Sequence, residues 1–301
     1  MKEPMMTNYS SLQDAINNLF GQETRIESSV RVGGGDINEA HCLFMNNGKK
    51  LFMKSNRKEN ARFFSTEING LSALRSTHTI RIPRVYGCGT DNQKAFLLME
   101  YIQEETMDET YWKRFATQLA HMHQADCSQW CSGGYGFTED NYIGASVQCN
   151  QPDRSWISFF RHQRLKPQIK TSFAYFDERQ KKDLHVLLDH LDHYLIEPEY
   201  PSLLHGDLWQ GNIMASAGSE PWLIDPACYV GHYEADLAMT ELFGRFPSVF
   251  YDTYQSVCPK QPGYPKRREI YNLYHLLNHL NLFGPSYLSS VLNSLYRILS
   301  D

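Results

Sequence analysis

The sequence predicts an α+β chain of two lobes: a small antiparallel β-rich lobe, then a larger and mainly helical one, with a cleft between them. Three observations lead there. Apolar runs in the first hundred residues are short and broken by Gly and Asn turns, as strands require. From Glu104 onward most apolar patterns have helical spacing. Lastly, "LLHGDLWQGNIM" (203–214) sets a polar loop between apolar flanks, and "LIDP" follows after a short strand pair. The change of texture near Tyr101 to Glu105 separates residues 1–103 from residues 104–301.

The elements follow in order. "SLQDAINNLFG" places Leu12, Ala15, Ile16, Leu19 and Phe20 at helical spacing, with Gly21 as a stop. "IESSVRVGGGDINEAHCLFMNNGKKLFMKS" reads as strand, Gly-rich turn, strand, "NNGKK" turn, strand. "NARFFSTEINGLSALRS" is a helix whose apolar side carries Phe63, Phe64, Ile68, Leu71 and Leu74. "RIPRVYGCG" and "KAFLLMEYI" are two further strands. Beyond Glu104, "YWKRFATQLAHMHQ", "SWISFFRHQRLKPQI" and "RQKKDLHVLLDHLDHYL" are helical, and "SGGYGFTEDNYIG" is loop-like. After the polar loop and the short strand pair come "YEADLAMTELFG", "PSVFYDTYQSV", "REIYNLYHLLNHLNLF" and "SYLSSVLNSLYRILS", all helical.

Composition limits the partners. The 301 residues suffice for two lobes, and 42% hydrophobic with 21% charged residues is globular rather than disordered. A net charge of -5 gives no broad basic field, so nucleic acid is not an expected partner. No stretch approaches 18 apolar residues and the start lacks a leader-like run, so neither a membrane span nor a secretory leader is expected. Seven cysteines at irregular spacing, of which only "CSQWC" is close, read as free and mostly buried thiols in a cytoplasmic protein.

Candidate chemistry lies on the strand turns and the polar loop. In "RVGGGDINEA", Gly33, Gly34 and Gly35 let backbone N–H groups approach a phosphate, and they serve a flexible hairpin turn equally well. Lys54 ends the following strand, where its ammonium can meet the α/β-phosphates of ATP. Glu67, on the inserted helix, can hold it there. At "LLMEYI" an adenine can pair with the backbone of Glu100 and Ile102 beside Met99; a buried strand running into a linker fits the same residues. Asp207 and Asn212 share one loop, and Asp225 follows the strand pair. Phosphoryl transfer asks a protein mainly for positioning and charge neutralisation. Asp207 suits the base that receives the acceptor hydroxyl's proton, and Asn212 and Asp225 are hard oxygen ligands of the kind Mg²⁺ prefers. His205 is expected to brace the loop, and Asp236 to brace it from a helix.

This order resembles the eukaryotic-like kinases, with "HGDLWQGN" in the place of the H-R-D-x-x-x-x-N loop and "IDP" in the place of D-F-G. Gly206 replaces the Arg of that loop, and Asp236 follows Asp225 too soon for an activation segment. Both departures are similar to the small-molecule kinases of the aminoglycoside phosphotransferase type. "DNYIG", "RLKPQ", "GHYEADLAM" and "YHLLNHLNLFG" narrow the resemblance to the fructosamine/ketosamine kinase family, from about residue 10 to near the C-terminus. It implies a protein kinase-like fold and ATP- and Mg²⁺-dependent phosphorylation of the 3-hydroxyl of a ketosamine, free or on a glycated protein. The product then releases the amine. Some relatives carry a redox-active Cys in the phosphate loop. Here the nearest is Cys42, in the next strand, so no such switch is carried over. Trp209 is expected over the sugar, with Tyr142, Arg161, Arg164, Gln168, His232 and Glu234 as further candidate linings; each fits a structural role as well. Arg161 and Arg164, at i and i+3, are expected on one helix face. Another acceptor (an aminoglycoside, a choline-like alcohol or another sugar) and a non-catalytic nucleotide-binding protein are the competing readings.

Overall fold

The computed structural model describes residues 6–33 and 37–300. The smaller lobe is a six-stranded sheet of β1 (Thr7–Asn8), β2 (Ile26–Arg31), β3 (Glu39–Met45), β4 (Lys50–Arg57), β5 (Val85–Thr90) and β6 (Lys94–Glu100), ordered β1-β5-β6-β4-β3-β2. All neighbours are antiparallel except β1, which lies parallel to β5. A strand of two residues has no periodicity to betray it, which is why "TN" was not anticipated.

Side chains alternate across the sheet with the period of two that strands impose. In β6, Phe96 and Leu98 point toward helix α1 (Leu12–Phe20), where they meet Ala15 and Ile16. Ala95, Leu97 and Met99 point the other way, toward Phe64, Ile68 and Leu71 of α2 (Ala61–Ser76). The same alternation in β4 sends Leu51 and Met53 to the α1 side, which leaves Phe52 and Lys54 facing α2 and the cleft. Glu67 sits on the inward side of α2, one turn from Phe64 and from Leu71. Ser11 caps α1 by accepting the Asp14 N–H, and Gly21 ends it at φ +100°.

The larger lobe begins with α3 (Glu109–Gln124), capped by Asp108. The stretch expected as loop up to Gly144 instead ends in strand β7 (Asn141–Ile143), hairpinned to β8 (Ser146–Gln148). Next come α4 (Trp156–Phe159), a wide π turn (Phe160–Leu165), α5 (Lys166–Ser172) and α6 (Glu178–Asp189). Strand β9 (Ser202–Leu204) leads into the polar loop, the hairpin β10 (Ile213–Ser216) and β11 (Glu220–Leu223) follows, and β12 (Tyr229–Gly231) returns to pair with β9. Helices α7 (Glu234–Met239), α8 (Ser248–Val257), α9 (Tyr264–Phe283) and α10 (Leu288–Leu299) close the lobe. Trp156, Phe159, Phe160, Tyr229, Tyr271 and Tyr274 pack into one aromatic core. All seven cysteines are free thiols and only Cys149 is not buried. Among the described residues no helix is long and apolar enough to cross a membrane.

Helix α7 is pinned to α9 by a buried ion pair. Arg267 donates Nε to one Glu234 oxygen at 2.6 Å and a terminal nitrogen to the other at 2.7 Å, and both side chains are shielded from water. Removing one partner strands the other charge, so Arg267→Met should lose roughly 3–5 kcal/mol of stability in a denaturant titration.

Candidate active site in the interlobe cleft

A cleft of about 1430 Å³ runs between the lobes and takes its walls from both. Near its inner end, Lys54 Nζ lies 2.7 Å from Glu67 Oε1 and also contacts Asp225 Oδ1 from the other lobe. Burial alone would lower the lysine's pKa, but the two carboxylates outweigh it and raise the pKa, so the ammonium stays charged. Asp225 holds a left-handed backbone (φ +55°), a strained conformation for a side chain with a Cβ. The hydrogen bond from the Ile224 N–H to the Asn212 carbonyl, 3.1 Å, extends the β10–β11 ladder by one step. It brings Asn212 and Asp225 to the same end of that hairpin.

The polar loop is fastened from beneath. Asp236, buried on α7, accepts the His205 N–H at 2.7 Å and the Gly206 N–H at 2.9 Å. Its Oδ2 also lies 3.2 Å from His123 Nε2, and His123 Nδ1 lies 2.7 Å from the Tyr254 hydroxyl. A carboxylate only accepts, so Nε2 carries a proton toward Asp236. Burial would raise the Asp236 pKa, but the bond from His123 and the neighbouring histidines hold it below the usual range. His205 donates Nε2–H to the Ile224 carbonyl at 2.8 Å and accepts the Asp207 N–H on Nδ1, so it ties the loop to the strand before Asp225. Gly206 has φ +81°, and a Cβ there would come 2.1 Å from the Ala227 oxygen. Only glycine fits.

Asp207 projects into the cleft from this base. Asn212 Nδ2 donates to its Oδ2 at 3.0 Å and to its backbone oxygen at 2.8 Å. Burial pushes the Asp207 carboxyl up to about 7; the Asn212 bond opposes the shift, and the charges of Asp225 and Asp236 add to it. Asn212 spends its NH₂ on Asp207, which leaves its amide oxygen for a cation. With the second oxygen of Asp225, that makes a small hard-oxygen donor set, and it fits Mg²⁺ completed by phosphate and water oxygens. Trp209 lies on the cleft wall, 38% exposed, with its ring folded over Gly211. A Cβ on residue 211 would meet that ring at 2.4 Å, so the glycine makes the place for the indole.

Several expected residues meet here. Gly33, Lys54, Glu67, Met99, Glu100, Ile102, Tyr142, Asp207, Trp209, Asn212 and Asp225 all line the one cleft. Gly34 and Gly35 lie outside the described residues.

Five expected acceptor linings do not reach the cleft. The π turn admits more residues per turn than an α-helix, so Arg161 and Arg164 no longer share a face. Arg161 turns outward to the Leu188 carbonyl and Asp192. Arg164 is fully buried; it stacks on Tyr229 and bonds Cys149 O and Asn150. Gln168 stands one layer behind the wall, where it donates to Asn278 and accepts from Asn281. Glu234 is committed to Arg267. His232 faces a separate pocket of about 490 Å³, which it shares with Glu197, Tyr200 and Cys258. Burial, the Arg267 charge and His123 press its pKa down to about 3, so it is neutral. The wall they were expected to form comes instead from Met239, Phe243, Asn278, His279, Phe283 and Tyr287. The end of α9 reads as a buried amphipathic helix, and no spacing rule marks which of its residues meets an open cleft.

Comparisons with known proteins bear on family and fold. A family model described as fructosamine kinase matches residues 8–301. A Vibrio parahaemolyticus protein named "Probable ketoamine kinase" is 39% identical over 97% of this chain and 99% of its own length. The rice "Protein-ribulosamine 3-kinase, chloroplastic" (japonica) is 39% identical over 91% of this chain and 79% of its length. A crystal structure of a candidate fructosamine-3-kinase from Haemophilus somnus 129PT superposes with a TM-score of 0.85 at 29% identity, covering 96% of this chain and 97% of that one. An aminoglycoside phosphotransferase structure at 16% identity shares the fold alone.

The raised acidity constant of Asp207 has a sign that can be measured. Its folded value, about 7, exceeds the ordinary 3.8, so the protonated carboxyl favours folding. That stabilisation is complete below the ordinary value and is lost as pH rises through about 7. Asp207→Asn stays neutral throughout. In ligand-free protein, its melting temperature should match the wild type below about pH 4, exceed it by a margin that grows as pH rises toward about 7, and keep a level margin above that. A difference that stays flat across the range would remove the shifted carboxyl.

Proposed function

The chain belongs to the fructosamine kinase family, and from that premise we propose that it transfers the γ-phosphoryl group of ATP to the 3-hydroxyl of a ketosamine. It is a phosphotransferase acting on a sugar hydroxyl. Fructosamines and ribulosamines, on small amines or on proteins, are the acceptors we propose, with deglycation as the consequence. The observation that carries the reading is the convergence of Lys54, Asp207, Asn212 and Asp225 in one cleft.

Each residue then has a task. The adenine lies against Met99, with the backbone of Glu100 and Ile102 as its hydrogen-bonding edge. Lys54, held by Glu67, directs its ammonium at the α/β-phosphates, and Gly33 opens the turn beside them. Asn212 and Asp225 hold Mg²⁺, which supplies neutralisation of the phosphate charge. Asp207 accepts a hydrogen bond from the sugar 3-hydroxyl, orients its oxygen toward the γ-phosphorus and receives its proton as the new O–P bond forms and the bond from the γ-phosphorus to the bridging oxygen breaks, with ADP as the leaving group. An acidity constant near 7 leaves the carboxylate populated at neutral pH and basic enough for that transfer. Trp209 presents an apolar face to the sugar ring. We place the lobe boundary between residues 103 and 104. Seven free thiols favour a cytoplasmic site of action.

Three experiments test this. Purified protein with ATP-Mg²⁺ should phosphorylate fructosyl- or ribulosyl-amines at the 3-position, read by phosphorus NMR against a panel of aminoglycosides, choline and free sugars. Asp207→Asn should lower turnover by about 10²–10⁴-fold, the usual worth of a positioned base. Transfer only to a panel acceptor would favour another small-molecule kinase. ATP binding without transfer would favour a nucleotide-binding protein. Asp225→Asn should raise the Mg²⁺ concentration needed for half-maximal rate; an unchanged requirement would remove Asp225 from the metal site.

A further inference from the structure

Only ten residues separate Asp225 from Asp236, too few for the activation segment through which protein kinases control their glutamate-bearing helix. Glu67 nevertheless meets Lys54. The reason lies along the length of α2, which is fastened to the larger lobe at several points. Near its start the Phe63 ring meets Tyr142 edge-on, with centroids 4.3 Å apart. At mid-helix, Asn69 Nδ2 donates to the carboxylate of Glu139. Gly70 packs against Pro226 and Cys228, and a Cβ there would lie 3.2 Å from Pro226. At its end, Ser76 Oγ accepts from Gln129 and from the Trp130 indole, both at 3.1 Å.

The segment carrying Glu139 and Tyr142 is itself anchored from below. Asn150 donates to the Glu139 carbonyl at 3.0 Å, and its own oxygen accepts from Arg164 at 2.7 Å. Asn141 donates to the Cys228 carbonyl at 2.8 Å and Gln148 to the Ala227 carbonyl at 3.0 Å. So the hairpin that grips α2 also grips the backbone just beyond Asp225. It spans the two halves of the Lys54–Asp225 contact.

We infer that Asn69 and Glu139 are positioning residues for the Lys54–Glu67 pair, through a hydrogen bond that sets the rotation of α2 on the larger lobe. Asn69 lies two residues beyond Glu67. Turning the helix to break one bond withdraws the other. The ring contact and the glycine packing set the distance between lobes, but they are not directional. The side-chain bonds at Ser76 and between Asn69 and Glu139 are, and of these only the Asn69–Glu139 bond lies within one turn of Glu67. The helix is thereby held in its working position by the chain itself, with no phosphorylation and no partner.

The inference rests on the kinase reading, and its test can fail independently of that reading. Asn69→Asp sets two carboxylates against each other and should turn α2. Glu139→Gln keeps an amide-to-amide bond. The double variant Asn69→Asp, Glu139→Gln restores the bond with donor and acceptor exchanged. Steady-state rates and the melting shift induced by ATP-Mg²⁺ are measured on all of these and the wild type. Asn69→Asp should lower kcat/KM for ATP by about tenfold or more, the scale of a lost charge-sensitive contact, and leave the acceptor KM within about twofold. Glu139→Gln and the double variant should stay within about threefold of wild type. Should Asn69→Asp not fold, Glu139→Ala, which adds no charge, should show the same split with a smaller loss. A folded Asn69→Asp with wild-type kcat/KM for ATP, or a double variant no better than Asn69→Asp, overturns the inference. If the wild type phosphorylates no ketosamine, the function fails, and the melting shifts alone still decide whether the pair positions the nucleotide site.

Discussion

One ammonium group, that of Lys54, stands between two carboxylates that arrive from different lobes. A buried cation is costly without partners, and each carboxylate near it needs the cation in return. The arrangement therefore forces three elements to agree: β4 must present Lys54, α2 must present Glu67, and the turn after β11 must present Asp225. Much of the remaining structure serves this agreement. The alternation of the central sheet aims the lysine, the inward face of α2 aims the glutamate, and the ladder between Asn212 and Ile224 carries the aspartate to the cleft.

The opposite wall obeys a different constraint, which is that a short polar loop cannot hold its own shape. It borrows rigidity from Asp236, whose two oxygens take the N–H groups of His205 and Gly206. Behind that carboxylate, His123 and Tyr254 form a further chain of hydrogen bonds. The result is a carboxyl at 207 whose environment, rather than its identity, sets its basicity. Burial supplies most of the shift and neighbouring negative charge adds to it.

The two-lobe architecture and the polar residues that converge in the cleft were legible because they rest on local rules. Strand alternation, helix spacing and the Asp207, Asn212, Asp225 order need only neighbours in the chain. The acceptor side was less legible. Arg161 and Arg164 looked like a helix pair because nothing in "FRHQRL" announces a π turn. Glu234 and His232 looked polar enough for a ligand, but Arg267, distant in sequence, had already claimed the glutamate. Conversely, Phe243, Asn278, His279 and Phe283 lie in stretches expected only to be helical, because whether an amphipathic face meets another helix or an open cleft is settled by tertiary packing. The strand at Asn141 was hidden because three residues are too few to show a period, and because its anchors, on α2 and at the Cys228 carbonyl, lie far away in the chain.

The apolar contacts draw no line where the lobes meet. Phe64, Ile68, Leu71, Leu97 and Met99 belong to the same continuous cluster as Leu203, Leu223 and Tyr229, and among the described residues a separate core lies on the α1 side of the sheet. A chain built this way has no internal seam at which the larger lobe could persist after α2 lets go. Its unfolding is accordingly a shared event, in which the inner strands and the helical lobe lose protection against hydrogen exchange together. The α1 layer, with its smaller core, is the part able to open by itself.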